Sequence, residues 1–210
     1  MEPTDTNLRA WEDAHRKLRR GGGRRGLPKP VRERLPDLDG RHVLHLTCGA
    51  GRETAALIGL GALVTGVDSS EETVRAARKR LPDAALVAAD VQALPVELRR
   101  GRFDLVYSSW GTLALVSSLA GWAAGIAASL RKSGVLLAYD EHPVAACLDQ
   151  MLHWHESYFD AWPVGAVAES LIGAGLQLER LEELPDPNRW GRREVRVPGD
   201  LIVIARKPSA

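Results

Sequence analysis

The residues best placed to do chemistry fall at the ends of short apolar runs. His42-Val43-Leu44-His45-Leu46 feeds the turn Thr47-Cys48-Gly49-Ala50-Gly51. Glycines there let a backbone approach a ligand closely, and a following helix offers free N–H groups. Leu63-Val64-Thr65-Gly66-Val67 ends in Asp68, 19 positions beyond Gly49. An acid at about that offset can accept both hydroxyls of a ribose. Ala85 to Ala89 ends in Asp90-Val91, Phe103 to Ser108 in Ser109-Trp110-Gly111, and Gly134 to Tyr139 in Asp140-Glu141-His142. A glycine turn, an acid near +20 and a second acid one strand later together point to a nucleoside-bearing ligand. Taken singly, each has a plainer reading, as a strand–helix turn, a helix cap or a loop residue.

The elements that must position these residues follow from punctuation and period. Arg52 to Leu60 reads as a helix stopped by Gly61. Ser70 reads as the N-cap of a helix to about Arg80, with Glu71 and Glu72 in its first turn, where the helix dipole favours acids. Leu119 to Leu130 and Val164 to Ala174 are the later helices, and Gln177 to Leu184 and Asp200 to Arg206 the last strands. Alternation of strand and helix at short spacing predicts an α/β fold with a Rossmann-like, doubly wound sheet. Seven strands are expected, mostly parallel, with the two last forming an antiparallel C-terminal hairpin at one edge.

Upstream, Asn7 to Arg20 reads as a helix with Trp11 on its apolar side, ended by Gly21-Gly22-Gly23, and a second helical piece is expected over Val31 to Leu35. The expected organisation is an N-terminal basic arm or lid over residues 1–40 and a ligand-binding domain over 41–210. From Arg16 to Arg34 there are nine basic residues and one acid. That run reads either as a solvated arm or as an anion-facing lid that reaches RNA. Over the whole chain 28 Lys and Arg balance 27 Asp and Glu, a net charge of +1, which argues against a dedicated nucleic-acid binder.

Two cysteines, Cys48 and Cys147, make neither a disulfide framework nor a zinc pattern. The N-terminus lacks the basic start and apolar run of a signal peptide, and no stretch reads as a membrane span. A cytoplasmic protein is the expectation. His153-Trp154-His155 lacks a third ligand, so no metal is expected.

The run His45-Leu46-Thr47-Cys48-Gly49-Ala50-Gly51 is similar to the first motif of class I S-adenosylmethionine-dependent methyltransferases. Val64-Thr65-Gly66-Val67-Asp68-Ser69-Ser70, Ala89-Asp90-Val91-Gln92-Ala93-Leu94-Pro95 and Phe103-Asp104-Leu105-Val106-Tyr107 look like their next three. Within that superfamily the chain resembles a bacterial, small-molecule-type branch with His-Leu-x-Cys in the first motif and Glu-His-Pro after the fifth strand, here Glu141-His142-Pro143. His45 and Thr47 stand where the first motif commonly has an acid and a glycine.

The resemblance implies S-adenosyl-L-methionine as cofactor and S-adenosyl-L-homocysteine as its product. Gly49 and Gly51 would line the methionine moiety, together with His45, Thr47 and Cys48. Asp68 and Ser69 would hold the ribose, and Asp90 and Val91 the adenine. Ser108 would lie beneath the sulfonium, and Trp11 either closes over the cofactor or anchors the core. His142, with Glu141 beside it, is the candidate base. Tyr107, Trp110, Trp154 and Trp162 are candidates to build the pocket for a small-molecule acceptor. Relatives in this branch insert a longer covering segment after the position of Phe159, so a homodimer partner is one way to complete that pocket. Against this reading stand an RNA methyltransferase using the basic arm, an NAD-dependent oxidoreductase and a non-catalytic cofactor-binding module. The oxidoreductase is disfavoured because the turn is not Gly-x-Gly-x-x-Gly.

Overall fold

In a computed structural model of the chain, the described residues are 26–149, 151–186, 189 and 197–209. The helix expected around Trp11 and most of the Arg16–Arg34 run lie outside them, as does Trp190. The elements in chain order are α1 (Lys29–Arg32), β1 (His42–Leu46), α2 (Arg52–Gly59), β2 (Leu63–Asp68), α3 (Glu71–Arg80), β3 (Ala85–Ala88) and β4 (Phe103–Ser108). Then come α4 (Leu119–Ser129), β5 (Leu130–Glu141), α5 (Pro143–Ala146), α6 (Val164–Gly173), β6 (Gln177–Leu184) and β7 (Asp200–Arg206).

The sheet has seven strands in the order β3-β2-β1-β4-β5-β7-β6. Strands β3 to β5 pair in parallel, and β7 runs antiparallel between β5 and β6. Strand order reverses between β1 and β4, the switch point where ligands of doubly wound sheets bind. The Rossmann-like α/β architecture read from the sequence is the one observed. Two bounds differ. β5 begins at Leu130, at the end of α4, where Gly134 had been expected to open it, and the helical piece expected over Val31 to Leu35 forms at Lys29–Arg32. Pro30 suits the first turn of that helix because its missing N–H needs no partner there.

Alternation along the strands divides the core into two faces. Leu44, Val106, Leu136, Ala138 and Val203 turn to one side and pack with Trp122 and Ile126 of α4 and Val167 and Leu171 of α6. Val43, Leu105, Tyr107, Tyr139 and Ile202 turn to the other and pack with Leu57 of α2. Leu27, Val31 and Leu38 belong to that second cluster, so the stretch over residues 27–38 is packed onto the sheet. Arg34 ties it further by a two-pronged pair with Glu182 on β6, at 3.1 and 2.5 Å.

Candidate functional site

The turn after β1 is held open by backbone geometry. Thr47, Gly49 and Gly51 take φ of 56°, 53° and 77°. At Gly51 a side chain would sit 3.1 Å from Leu81 and 3.3 Å from Ala77, so α3 packs against this turn. At Gly49 a Cβ would meet nothing within 4 Å. Of the two glycines, Gly49 is therefore the one that presents an open face.

Asp68 lies across from that face. Its Oδ2 accepts the Gly49 N–H at 2.9 Å and its Oδ1 the Ser70 N–H at 3.0 Å. Each carboxylate oxygen can accept a second hydrogen bond, so both keep capacity for a ligand hydroxyl. The group is buried, and burial raises its pKa against the opposing pull of the two amides. Ser69 beside it is exposed, and Ser70 caps α3 by accepting the Thr73 N–H at 3.2 Å. Asp90 is exposed at the end of β3, with Oδ1 accepting from the Gln92 N–H at 2.9 Å, while Val91 is buried.

Thr47 contributes to a seam between the turns after β1 and β4. Thr112 donates to the Ser109 carbonyl at 2.7 Å, so Thr47 must be the donor in its 2.5 Å contact with Thr112. Ser109 in turn donates to the Thr47 carbonyl at 2.8 Å. Gln92 makes a second seam, its Oε1 accepting from the Ser117 and Ser118 amides at 2.7 and 2.6 Å. Neither latch was visible in the sequence, because polar residues in loops name no partner until the loops are placed.

Several expected site residues point elsewhere than the strand ends. His45 is 1% exposed and stacks on Tyr107 with centroids 5.0 Å apart. Its Nδ1 meets Thr54 at 2.9 Å, its Nε2 has no partner, and burial lowers its pKa to about 3, so it stays neutral. The Tyr107 hydroxyl donates to Glu53 at 2.8 Å, and its ring lies on the α2 face, opposite Ser108. Cys48 is buried, and burial with Asp68 nearby pushes its thiol up to about 12, which keeps it protonated.

Beyond β5, His142 is 3% exposed and caps α5, with Nδ1 accepting the Val144 N–H at 3.1 Å and Nε2 2.7 Å from Glu183. That assigns the ring proton to Nε2. Burial lowers its pKa, although Glu183 opposes this. Glu141 is ion-paired with Arg189. Asp140, by contrast, is 5% exposed and accepts the Gly111, Leu113 and Glu141 amides, each at 2.7 Å. Burial raises its pKa to about 7. It therefore fixes the loop that follows Ser108.

Of the tryptophans, Trp110 is half-buried and packs on the α2 face. Trp162 packs on the other, its Nε1 donating to the Val116 carbonyl at 2.8 Å. Trp154 is exposed and not joined to them. No group of three or more metal-ligating residues occurs among the described residues. Among them, too, no helix is long and apolar enough to cross a membrane.

An open glycine turn, an acid at the end of the next strand and a switch point between β1 and β4 define a nucleoside-binding α/β protein. Residues 43–134, a little under half of the chain, match the family described as a methyltransferase domain. It is 32% identical over 123 residues to an uncharacterized methyltransferase of Synechocystis sp., covering 58% of this chain and 57% of that protein. It is 35% identical over 78 residues to a trans-aconitate 2-methyltransferase of Delftia acidovorans, covering 36% of this chain and 29% of the relative. The matched stretches thus span little more than half of one curated relative and under a third of the other. A solved S-adenosylmethionine-dependent methyltransferase from Mesorhizobium loti superposes with a TM-score of 0.69 at 25% identity, over 85% of this chain and 96% of that one.

Proposed function

We propose that this chain transfers a methyl group from S-adenosyl-L-methionine to a small-molecule acceptor. The observation that carries the reading is the pairing of Asp68 with the Gly49 N–H, which sets a carboxylate beside the open face of the glycine turn. The residues present fit the cofactor. Asp68 and Ser69 would hold the ribose hydroxyls, the exposed Asp90 the adenine amino group, and the buried Val91 the edge of the ring. The Gly49 face would take the methionine moiety, and Ser108 and the Asp140-held loop would bound the reacting end.

When bound, S-adenosyl-L-methionine supplies an activated methyl group whose bonding pair stays with sulfur on transfer. The protein's own task is alignment and exclusion of water. The two latches, Thr47–Thr112 and Gln92–Ser117/Ser118, hold the turns around the strand ends in register for that task. His142 would need to give up the Val144 amide to act as a base, since Nδ1, its one ring lone pair, accepts that amide while Nε2–H donates to Glu183.

The relatives named for trans-aconitate support a small molecule as acceptor. The RNA reading loses support at two cations of the basic run: Arg32 donates to the Leu27 carbonyl at 2.9 Å and Arg34 is bound to Glu182. Calorimetric titration with S-adenosyl-L-homocysteine tests the proposal. Micromolar binding that disappears in Asp68→Ala is expected. A folded protein that binds NAD and not S-adenosyl-L-homocysteine would replace this reading.

A further inference from the structure

On the α4/α6 side of the sheet, at the carboxyl ends of β4 and β5 and the amino end of the antiparallel β7, lies a recess of about 10 Å³, room for one water-sized group such as a hydroxyl. Ser108, Leu113, Trp122, Asp140, Val167 and Leu201 line it. Trp122 is 1% exposed, yet its Nε1–H has no partner. A buried donor left unpaired is costly, and the recess is the space beside it where a partner could sit. Asp140 borders the same space. Its Oδ1 accepts two amides, whereas its Oδ2 accepts only that of Leu113 and so retains a lone pair. No lysine or arginine is among the lining residues.

We propose that this recess is the acceptor subsite and that it takes an uncharged hydroxyl, which makes the reaction an O-methylation. The inference rests on the methyltransferase reading and adds the acceptor's chemical class. A hydroxyl oxygen has two lone pairs, so one can accept from Trp122 Nε1 while the other takes the methyl group. An amine nitrogen has one lone pair; given to Trp122, it leaves nothing for the methyl. A carboxylate would bring a second negative charge beside Asp140 with no cation to offset it. As the O–CH₃ bond forms, the O–H bond breaks and its proton passes to the Asp140 carboxylate, which becomes neutral. Burial already holds that carboxyl at about 7, close to the value a base needs at neutral pH. Asp140 and Trp122 then touch the acceptor, and Asp140 takes the part sought in His142.

The test uses phenol, aniline and benzoate, one ring bearing three groups, added to the ¹⁵N-labelled full chain with and without S-adenosyl-L-homocysteine. The expected result is a saturable displacement of the Trp122 indole N–H resonance by phenol and none by benzoate, with the other indole resonances unmoved. With S-adenosyl-L-methionine, mass spectrometry should show methyl phenyl ether and no N-methylaniline. Its rate should rise through about pH 7, and Asp140→Asn should lose that limb. A Trp122 resonance untouched by phenol means that the recess holds a structural water only, and the proposal fails. Displacement by benzoate, or methylated aniline as product, also overturns it. Absence of S-adenosyl-L-homocysteine binding sinks the parent reading instead, and the phenol titration without nucleoside still reports on the recess.

Discussion

Asp68 and Asp140 do the same thing at opposite ends of the strand-end cleft. Each is a buried acid closing a strand, each accepts backbone amides, and burial raises the pKa of both. They differ in what those amides belong to. Asp68 holds Gly49 and Ser70, at turns with an open glycine face and an exposed serine. Asp140 holds Gly111 and Leu113, in a loop closed over by Trp122, Val167 and Leu201. On the proposed reading the β1–β3 half would meet the cofactor with backbone and two acids, a vocabulary any adenosyl group satisfies. The β4–β7 half would meet the acceptor with packed side chains, which is where selectivity between acceptors would reside.

The strongest way to break this contrast is to remove each acid. Asp68→Ala takes away the proposed ribose partner and leaves two amides unpaired. We expect S-adenosyl-L-homocysteine affinity to fall at least ~100-fold, about 2.7 kcal/mol, with a further ~1–3 kcal/mol lost from folding stability. Asp140→Ala should leave that affinity within roughly threefold, well under 1.4 kcal/mol, while turnover collapses. Calorimetry and urea titration on the same preparations decide it. Equal losses of nucleoside binding in the two variants would mean the cleft has no such division.

Stability against pH gives a finer test, and its sign follows from the buried groups. The folded state holds the Asp140 proton up to about pH 7, whereas the unfolded chain releases it near 4. The stability Asp140 adds is therefore full below about pH 4 and is lost as pH rises towards 7. His45 runs the other way: its folded pKa is about 3 and its unfolded value about 6.5. What His45 adds is full above about pH 6.5 and is lost as pH falls. Between pH 4.5 and 6 or thereabouts the two slopes oppose each other and nearly cancel. Asp140→Asn should uncover a rise of about 1.4 kcal/mol per pH unit, and His45→Asn a fall of similar size. Chemical denaturation at a series of pH values measures both. A flat profile in both variants would show that neither group titrates as its burial demands.

The same division explains what could be read from the sequence. β1, β4, β6 and β7 fall where apolar runs and turn residues place them, and Ser70 caps α3 as its position before two glutamates suggests. Asp68 was legible because its partners are a glycine turn and its own next turn, both announced locally. Asp140 was read as a strand-end residue beside His142, with no binding partner assigned to it. Its partners lie 27 and 29 residues back, and no local pattern announces them. Tyr107 and His45 were misleading for a related reason. Strand alternation turns both to the α2 face, where Glu53 and Thr54 take their polar atoms. Trp122 lies in an alanine-rich helix, and nothing in the sequence around it marks it. Only its unpaired N–H, which depends on what fails to surround it, singles it out.

The smallest expected effect separates the two glycines of the cofactor turn. Both have positive φ, so an alanine at either position costs about 1–2 kcal/mol of backbone strain. Gly51→Ala must also push against Leu81 and Ala77, at 3.1 and 3.3 Å, and should lower the urea midpoint the more of the two. Its nucleoside affinity, corrected for the folded fraction, should change little, because that Cβ faces α3. Gly49→Ala finds open space in the protein and pays only the backbone strain. Its methyl group instead occupies the face offered to the ligand, and about a tenfold loss of S-adenosyl-L-homocysteine affinity follows, near 1.4 kcal/mol. Should Gly49→Ala bind the nucleoside as tightly as the unaltered chain, the ligand does not approach through that face. The cofactor half would then rest on its acids alone.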